Sequence, residues 1–291
     1  MNIGEKIKKL RTEKVMTQSE LAGNEITRNM LSQIENGSAL PSLGTIRYIA
    51  SRLNVSAGYL ISDGEDEHIY VKRNEINGIK NSFSTGDYKI CRDMCINAKS
   101  RDDDEIQLIL AECNLKIAIE EFNNGALHVA CSYFDEAIET CGSTVYYTDH
   151  IEAIAGMYFR YMNKLSSTLD SSALDIEEIN VHPSLSDDFC VYAYMIYNSE
   201  ELKKDQSLKR ILQSDSPYAR HLAAKEQMEL NNFTEAYDIL HKILYDEAKL
   251  PEPVLYFVLG DLELCCKETN DYKNAYSYSN EKLSLMQKLL S

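Results

Sequence analysis

Apolar residues recur at helical spacing from the start of the chain. Ile3, Ile7 and Leu10 lie among Lys and Glu, which predicts an amphipathic helix over residues 3–13 with one buried stripe. Thr17-Gln18-Ser19-Glu20 has the form of a capping box, so a second helix starts there, and Gly23-Asn24 ends it soon after. Thr27 is placed to cap a third helix running to about Glu35, with Leu31 and Ile34 inward and Arg28, Asn29, Ser32 and Gln33 on the opposite face. Asn36-Gly37 stops it. After Leu40-Pro41, Ser42 caps a fourth helix with Ile46, Ile49, Ala50 and Leu53 on one side, and Ser56 opens a short fifth containing Tyr59 and Leu60. Five short helices, with a tight turn between the second and third, predict a compact all-helical bundle.

Asp63-Gly64-Glu65-Asp66-Glu67 is a polar break, and a domain boundary is expected there, dividing residues 1–62 from 63–291. Helical periodicity dominates the remainder, with no convincing strand alternation. Gly86-Asp87-Tyr88-Lys89-Ile90-Cys91 aligns with Gly125-Ala126-Leu127-His128-Val129-Ala130 at a spacing of 39. The stretch Asn231 to Tyr237 aligns with Asn270 to Tyr276 at the same spacing. In each, a turn residue opens a helix whose small residue (Cys91, Ala130, Ala236, Ala275) comes five or six positions later, where helices must approach closely. The expected fold is therefore all-α, a five-helix bundle followed by stacked helical hairpins.

Charge sharpens the division. Residues 1–62 hold eight Lys/Arg (Lys6, Lys8, Lys9, Arg11, Lys14, Arg28, Arg47, Arg52) against five Glu, a balance of +3, whereas the rest holds 22 basic and 41 acidic residues, or −19. A polyanion is attracted to the first part and repelled by the second. No stretch approaches the roughly eighteen apolar residues of a membrane span, and the start lacks an apolar signal core, so a soluble cytoplasmic protein is expected. All eight cysteines lie in the acidic part without zinc spacing and read as reduced core residues, with Cys91 and Cys95, one helical turn apart, as the alternative oxidant sensor. No Walker loop, dinucleotide glycine fingerprint, H-E-x-x-H or nucleophile elbow is present, and no enzyme activity, cofactor or metal site is expected. The run Asp102-Asp103-Asp104-Glu105 reads as a helix start favoured by the helix dipole rather than a metal site.

The bundle resembles the lambdoid-repressor or XRE-type helix-turn-helix, carried by Thr17-Gln18-Ser19-Glu20-Leu21-Ala22, by Ile26 through Gly37, by Pro41-Ser42-Leu43 and by Ile46 through Leu53. One departure is the link from Ala22 to Ile26, about one residue shorter than the family pattern, which leaves the angle between the second and third helices outside what the resemblance fixes. The resemblance implies that Gln18 braces a phosphate and the recognition helix, that Arg28, Asn29 and Gln33 face bases, and that Thr27, Ser32 and Asn36 meet backbone phosphates. It further implies a structural pair between Arg11 and Glu35. The later hairpins resemble degenerate tetratricopeptide repeats, most clearly at Gly125, Ala130, Phe134 and Ala137. They depart in their longer spacing, in having no Trp, and in lacking a clean register over residues 140–215.

A helix-turn-helix joined to a TPR-like α-solenoid resembles the peptide-sensing regulators of Gram-positive bacteria, the group that includes Rgg, PlcR and NprR. This implies a homodimer on a roughly palindromic double-stranded DNA operator, with a short peptide entering the concave face of the array. In such hairpins the inner helix exposes positions about 13, 10, 6 and 3 before the turn residue; with Asn231 as that residue these are Tyr218, His221, Lys225 and Met228. Residues 145–164 carry two apolar stripes, Ile151/Ala155/Tyr158/Met162 and Tyr147/His150/Ile154/Met157/Tyr161, so this helix either packs twice or packs once and lines a pocket; Tyr147, His150, Met157 and Tyr161 are its candidate ligand residues. The competing reading is a protein-interaction module whose helix-turn-helix serves docking or autoregulation. If Arg28 reads a base, Arg28→Ala is expected to weaken specific binding by about 1–3 kcal/mol and relax one base position. Gel shifts showing equal loss on specific and random DNA would refute that assignment.

Overall fold

The computed structural model describes residues 2–62, 67–168, 188–197, 216–245 and 249–290. The break at Asp63 to Asp66 lies outside the described residues, as do His182 and most of residues 140–215 beyond Thr168. The chain divides into two compact units, Met1–Ile106 and Gln107–Ser291. All regular structure among the described residues is helical.

The first unit opens with α1 (Ile3–Glu13), α2 (Gln18–Ala22), α3 (Arg28–Glu35), α4 (Leu43–Leu53) and α5 (Ala57–Ile61). Their starts follow from local chemistry. Thr17 Oγ1 accepts from Glu20 N at 3.2 Å while Thr17 N donates to Glu20 Oε2 at 2.6 Å, closing the expected capping box. Thr27, Ser42 and Ser56 each accept from the backbone N–H three residues on. Asn2 and Glu5 form a second box at the start of α1. The stripes converge on one core: Ile7, Leu21, Leu31, Ile34, Ile49, Leu53 and Leu60 are all buried. Burying each such side chain contributes about 1.5–3 kcal/mol. Helices α1 and α3 meet backbone to backbone, for a Cβ on Gly4 would stand 2.1 Å from the Ile34 carbonyl oxygen.

Two further helices, α6 (Glu67–Ser84) and α7 (Tyr88–Asn97), complete this unit as a hairpin. Cys91 and Cys95 face its interior. Burial and the adjacent Cys91 sulfur push the Cys95 thiol up to about 12, which favours the protonated thiol at neutral pH. The acidic run opens a helix: Lys72 pairs with Asp103 at 2.7 Å and Glu105 at 2.8 Å, and Lys80 with Glu105 at 2.5 Å.

The second unit is built from α8 (Asp104–Asn123), α9 (Leu127–Cys141), α10 (Asp149–Thr168), α11 (Asp188–Tyr197), α12 (Pro217–Glu229), α13 (Phe233–Leu244), α14 (Glu252–Glu268) and α15 (Tyr272–Leu289). The hairpins inferred from sequence share one turn. Gly86, Gly125, Asn231 and Asn270 all adopt left-handed φ, at 82°, 82°, 61° and 61°. In each, the N–H of that residue bonds three residues back and the next N–H bonds five back, as in Gly125 N to Phe122 O and Ala126 N to Glu121 O. This is the Schellman pattern, which takes up helix-end carbonyls. Glycine adopts the conformation freely and asparagine more readily than other side chains, which accounts for both residue types at these four places. Cys91, Ala130, Ala236 and Ala275 are buried as expected, allowing close helix approach. Both stripes of α10 are packed, with Ile151, Ala155, Tyr158 and Met162 on one side and Ile154, Met157 and Tyr161 on the other.

Gly4→Ala is expected to destabilise the first unit by about 1–3 kcal/mol, because α1 and α3 must part to admit the methyl group. Denaturant titration gives the difference, and an unchanged midpoint would contradict the close crossing.

Candidate nucleic-acid interface

Arg28, Asn29 and Gln33 form one exposed face of α3, opposite the buried Leu31 and Ile34. Ser32 is half-buried beside them, and Asn36 is exposed at the C-terminal end. The Thr27 hydroxyl accepts from Met30 N at 3.1 Å, so it holds the start of α3. The N-terminus of α3 borders a polar hollow lined by Ser19, Gly23, Asn24, Thr27 and Arg28. The face therefore offers a bidentate guanidinium, two amide side chains and a helix start rich in backbone N–H groups. Those are the donors and acceptors that base edges and phosphates require.

What holds α3 in place is a buried carboxylate. Glu35 accepts from Arg11 Nε at 2.6 Å, Arg11 Nη2 at 3.0 Å and Gln18 Nε2 at 2.8 Å, while Arg11 Nη1 donates to the Met16 carbonyl at 2.8 Å. Gln18 thus braces α3 through its last residue. Burial raises the Glu35 pKa, but the Arg11 and Gln18 hydrogen bonds outweigh it and bring the group below the ordinary carboxylate range.

Lys6, which the sequence reading only counted among the basic residues of the bundle, is buried. Its side chain is 1% exposed. Nζ donates to the Ser62 carbonyl at 2.8 Å, Ser62 Oγ at 3.1 Å and the Tyr59 carbonyl at 3.3 Å, and it lies 5.1 Å from the Tyr59 ring centroid. Lys6 caps the end of α5, where orphan carbonyls and the negative pole of the helix favour a cation. Sequence offered one weak signal: Lys6 directly precedes the buried Ile7 on the apolar side of α1.

The candidate ligand residues of the second unit fall into two sets. Tyr161, Tyr218, His221 and Lys225 come together around Tyr192. Tyr192 lies 6.2 Å from Tyr161 and 5.0 Å from Tyr218 between ring centroids, and its hydroxyl is 2.7 Å from His221 Nδ1. His221 Nε2 lies 2.8 Å from Asp261 Oδ2, which also pairs with Lys225 at 2.8 Å. An ionised Asp261 accepts from Nε2–H, leaving Nδ1 to accept from the Tyr192 hydroxyl, so His221 is neutral in this chain of bonds. Burial, partly offset by Asp261, lowers the His221 pKa in keeping with that. Met157, Tyr161 and His221 are at most 1% exposed, so a ligand meets them only after the aromatic packing opens. The other residues lie apart: Tyr147 is exposed on the loop before α10, His150 contacts Glu112 at 2.5 Å, and Met228 packs beside the Ala224 and Leu240 cluster. Sequence reasoning missed Tyr192 and Asp261. The available signal was a pair of acids, Asp261 and Glu263, inside the otherwise apolar run from Tyr256 to Cys266.

Residues 4–64 match a family model described as a helix-turn-helix domain. A comparison with curated proteins gives no match. Among solved structures, the chain is similar to PlcR of Bacillus thuringiensis in complex with a peptide and DNA, at 12% identity over 100% of this chain and 99% of that one, TM-score 0.23. It is also similar to ComR of S. thermophilus in complex with DNA and its signalling peptide, at 18% identity over 98% and 99%, TM-score 0.23. A third is a PrgX mutant, at 14% identity over 97% and 100%, TM-score 0.29.

Arg11→Met should cost about 3–5 kcal/mol by leaving the Glu35 carboxylate buried without its cation. The pH response should also reverse sign. In the native chain Glu35 has a lowered folded pKa, so its contribution is present at neutral pH and lost as pH falls below the ordinary carboxylate range. In the variant the buried carboxylate titrates above its unfolded value, so acidification relieves the destabilisation. Parallel melts of both proteins from neutral to acidic pH test this, and parallel curves would refute it.

Proposed function

We propose that this chain is a cytoplasmic, sequence-specific DNA-binding transcription regulator. In this reading residues 1–62 form the reading domain, and residues 63–291 dimerise and receive a short peptide. The observation that carries the reading is the exposed Arg28, Asn29 and Gln33 face of α3, fixed from behind by Glu35. It stands within the residues that match the helix-turn-helix domain. Arg28 and the two amides read base edges, while Thr27, Ser32 and Asn36 sit at the margins where phosphate oxygens pass.

Electrostatics make two copies necessary. A reading domain of +3 attached to a remainder of −19 binds a phosphate backbone weakly alone, and a dimer doubles the phosphate contacts on a roughly palindromic operator. The hairpin architecture of the second unit supports a recognition role, since stacked helical hairpins present side chains to extended peptides. Within it, Tyr218 and Lys225 give access from the surface towards His221 and Asp261, a set able to meet both an aromatic residue and a charged terminus.

The test is a footprint of the full chain on DNA upstream of its own gene, over a salt series, with and without peptides from culture medium. Two protected half-sites that resist salt stripping protein from random DNA are expected, together with a peptide-dependent change in affinity and melting temperature. Weak, sequence-indifferent binding beside a stable complex with another protein would instead favour the interaction-module reading.

A further inference from the structure

The link between α2 and α3 is short, and its backbone is unusual. Gly23 has φ 56° and ψ −136°, a conformation reached essentially by glycine alone. A Cβ there would also stand 2.3 Å from the Tyr48 hydroxyl. That hydroxyl donates to the Ala22 carbonyl at 2.9 Å, and Arg52 Nη2 donates to the Glu20 carbonyl. Both acceptors belong to the last turn of α2, where a five-residue helix leaves carbonyls short of backbone partners; Ala22 O has only a long one, from Ile26 N at 3.5 Å. Both donors stand one turn apart on α4, a helix seated in the core through Ile46, Ile49, Ala50 and Leu53.

We infer that Tyr48 and Arg52 are positioning residues for sequence reading: from α4 they fix the end of α2, and so the angle at which α3 presents Arg28, Asn29 and Gln33. This rests on the DNA-reading role proposed above. Two side chains from a third helix act at this end of α3, while the Glu35 bonds hold its other end, and Gly23 clears the space for one of them. The Tyr48 ring and the Arg52 stem need not touch DNA for this, because they act through the backbone of α2.

The experiment selects binding sequences with the full chain from a pool of duplexes with a randomised core, with and without peptides from spent culture medium. Native protein, Tyr48→Phe, Arg52→Lys and Arg28→Ala are compared, and each is melted to confirm folding. Tyr48→Phe keeps the ring and removes only the bond to Ala22. The expected result is a motif blurred at all the positions read by α3 together, with the ratio of selected to random affinity reduced roughly 2- to 12-fold, the factor one net hydrogen bond represents. Affinity for random duplex stays at the native level. Arg28→Ala, by contrast, blurs one position. Arg52→Lys retains a donor and the charge, and falls between native and Tyr48→Phe. A Tyr48→Phe protein that melts lower yet selects the native motif at the native ratio overturns the positioning role while leaving the DNA-reading proposal intact. A native chain that enriches no sequence overturns both.

Discussion

A single carboxylate sets the terms for the N-terminal bundle. Glu35 is the last residue of α3, and its two oxygens take three hydrogen bonds, two from α1 and one from α2. Three helices are thereby joined at one buried point, and the apolar core needs only to fill the space around it. The arrangement is costly to break and tolerant of little, because a buried charge is stable only while its partners stay in place. The exposed face of α3 is thus a by-product of what its inner face must satisfy. Lys6 does similar work at the far end of α1, where its ammonium gathers the last carbonyls of α5.

The second unit solves a different problem by repetition. Among its described residues, the hairpins closing at Gly125, Asn231 and Asn270 each turn through one left-handed residue and close on one small buried residue, so the same short instruction serves several places. Between the hairpins the packing is dominated by aromatic rings, with Tyr158 and Phe189 4.3 Å apart and Phe122 in contact with both. Into this apolar setting runs the polar chain Tyr192–His221–Asp261–Lys225, which bridges α11, α12 and α14. Such a chain is stable only when complete, and it makes the relation of these helices specific where apolar packing alone would tolerate slippage.

Much of this was legible from residue order. Thr17, Thr27, Ser42 and Ser56 announced their helices because a capping side chain bonds only three residues away, and Leu31, Ile34 and Ile49 marked the core by period alone. The four turn residues were visible for the same reason. What stayed hidden depends on partners distant in the chain. Lys6 looks like any surface lysine until Ser62 is brought to it, and His221 reads as a groove position, with Tyr192 not singled out at all, until Asp261 arrives between helices. The groove register put His221 and Lys225 about one turn apart on one helix, but it could not show that aromatic neighbours cover the first and leave the second reachable. The shortened link was visible as a departure, while its remedy, Tyr48 and Arg52, lies on another helix.

The contact between Gly4 and the Ile34 carbonyl has a bearing on control. Where two helices touch through their backbones, no layer of side chains is available to absorb a slide or a roll. Each reading face is then a stamp whose seat on α1 is set by that contact, and a signal received elsewhere acts on where the stamp is held. In the proposed dimer, regulation becomes a matter of spacing and phase: whether two such stamps are held at a separation that matches the helical repeat of the operator, or out of step with it.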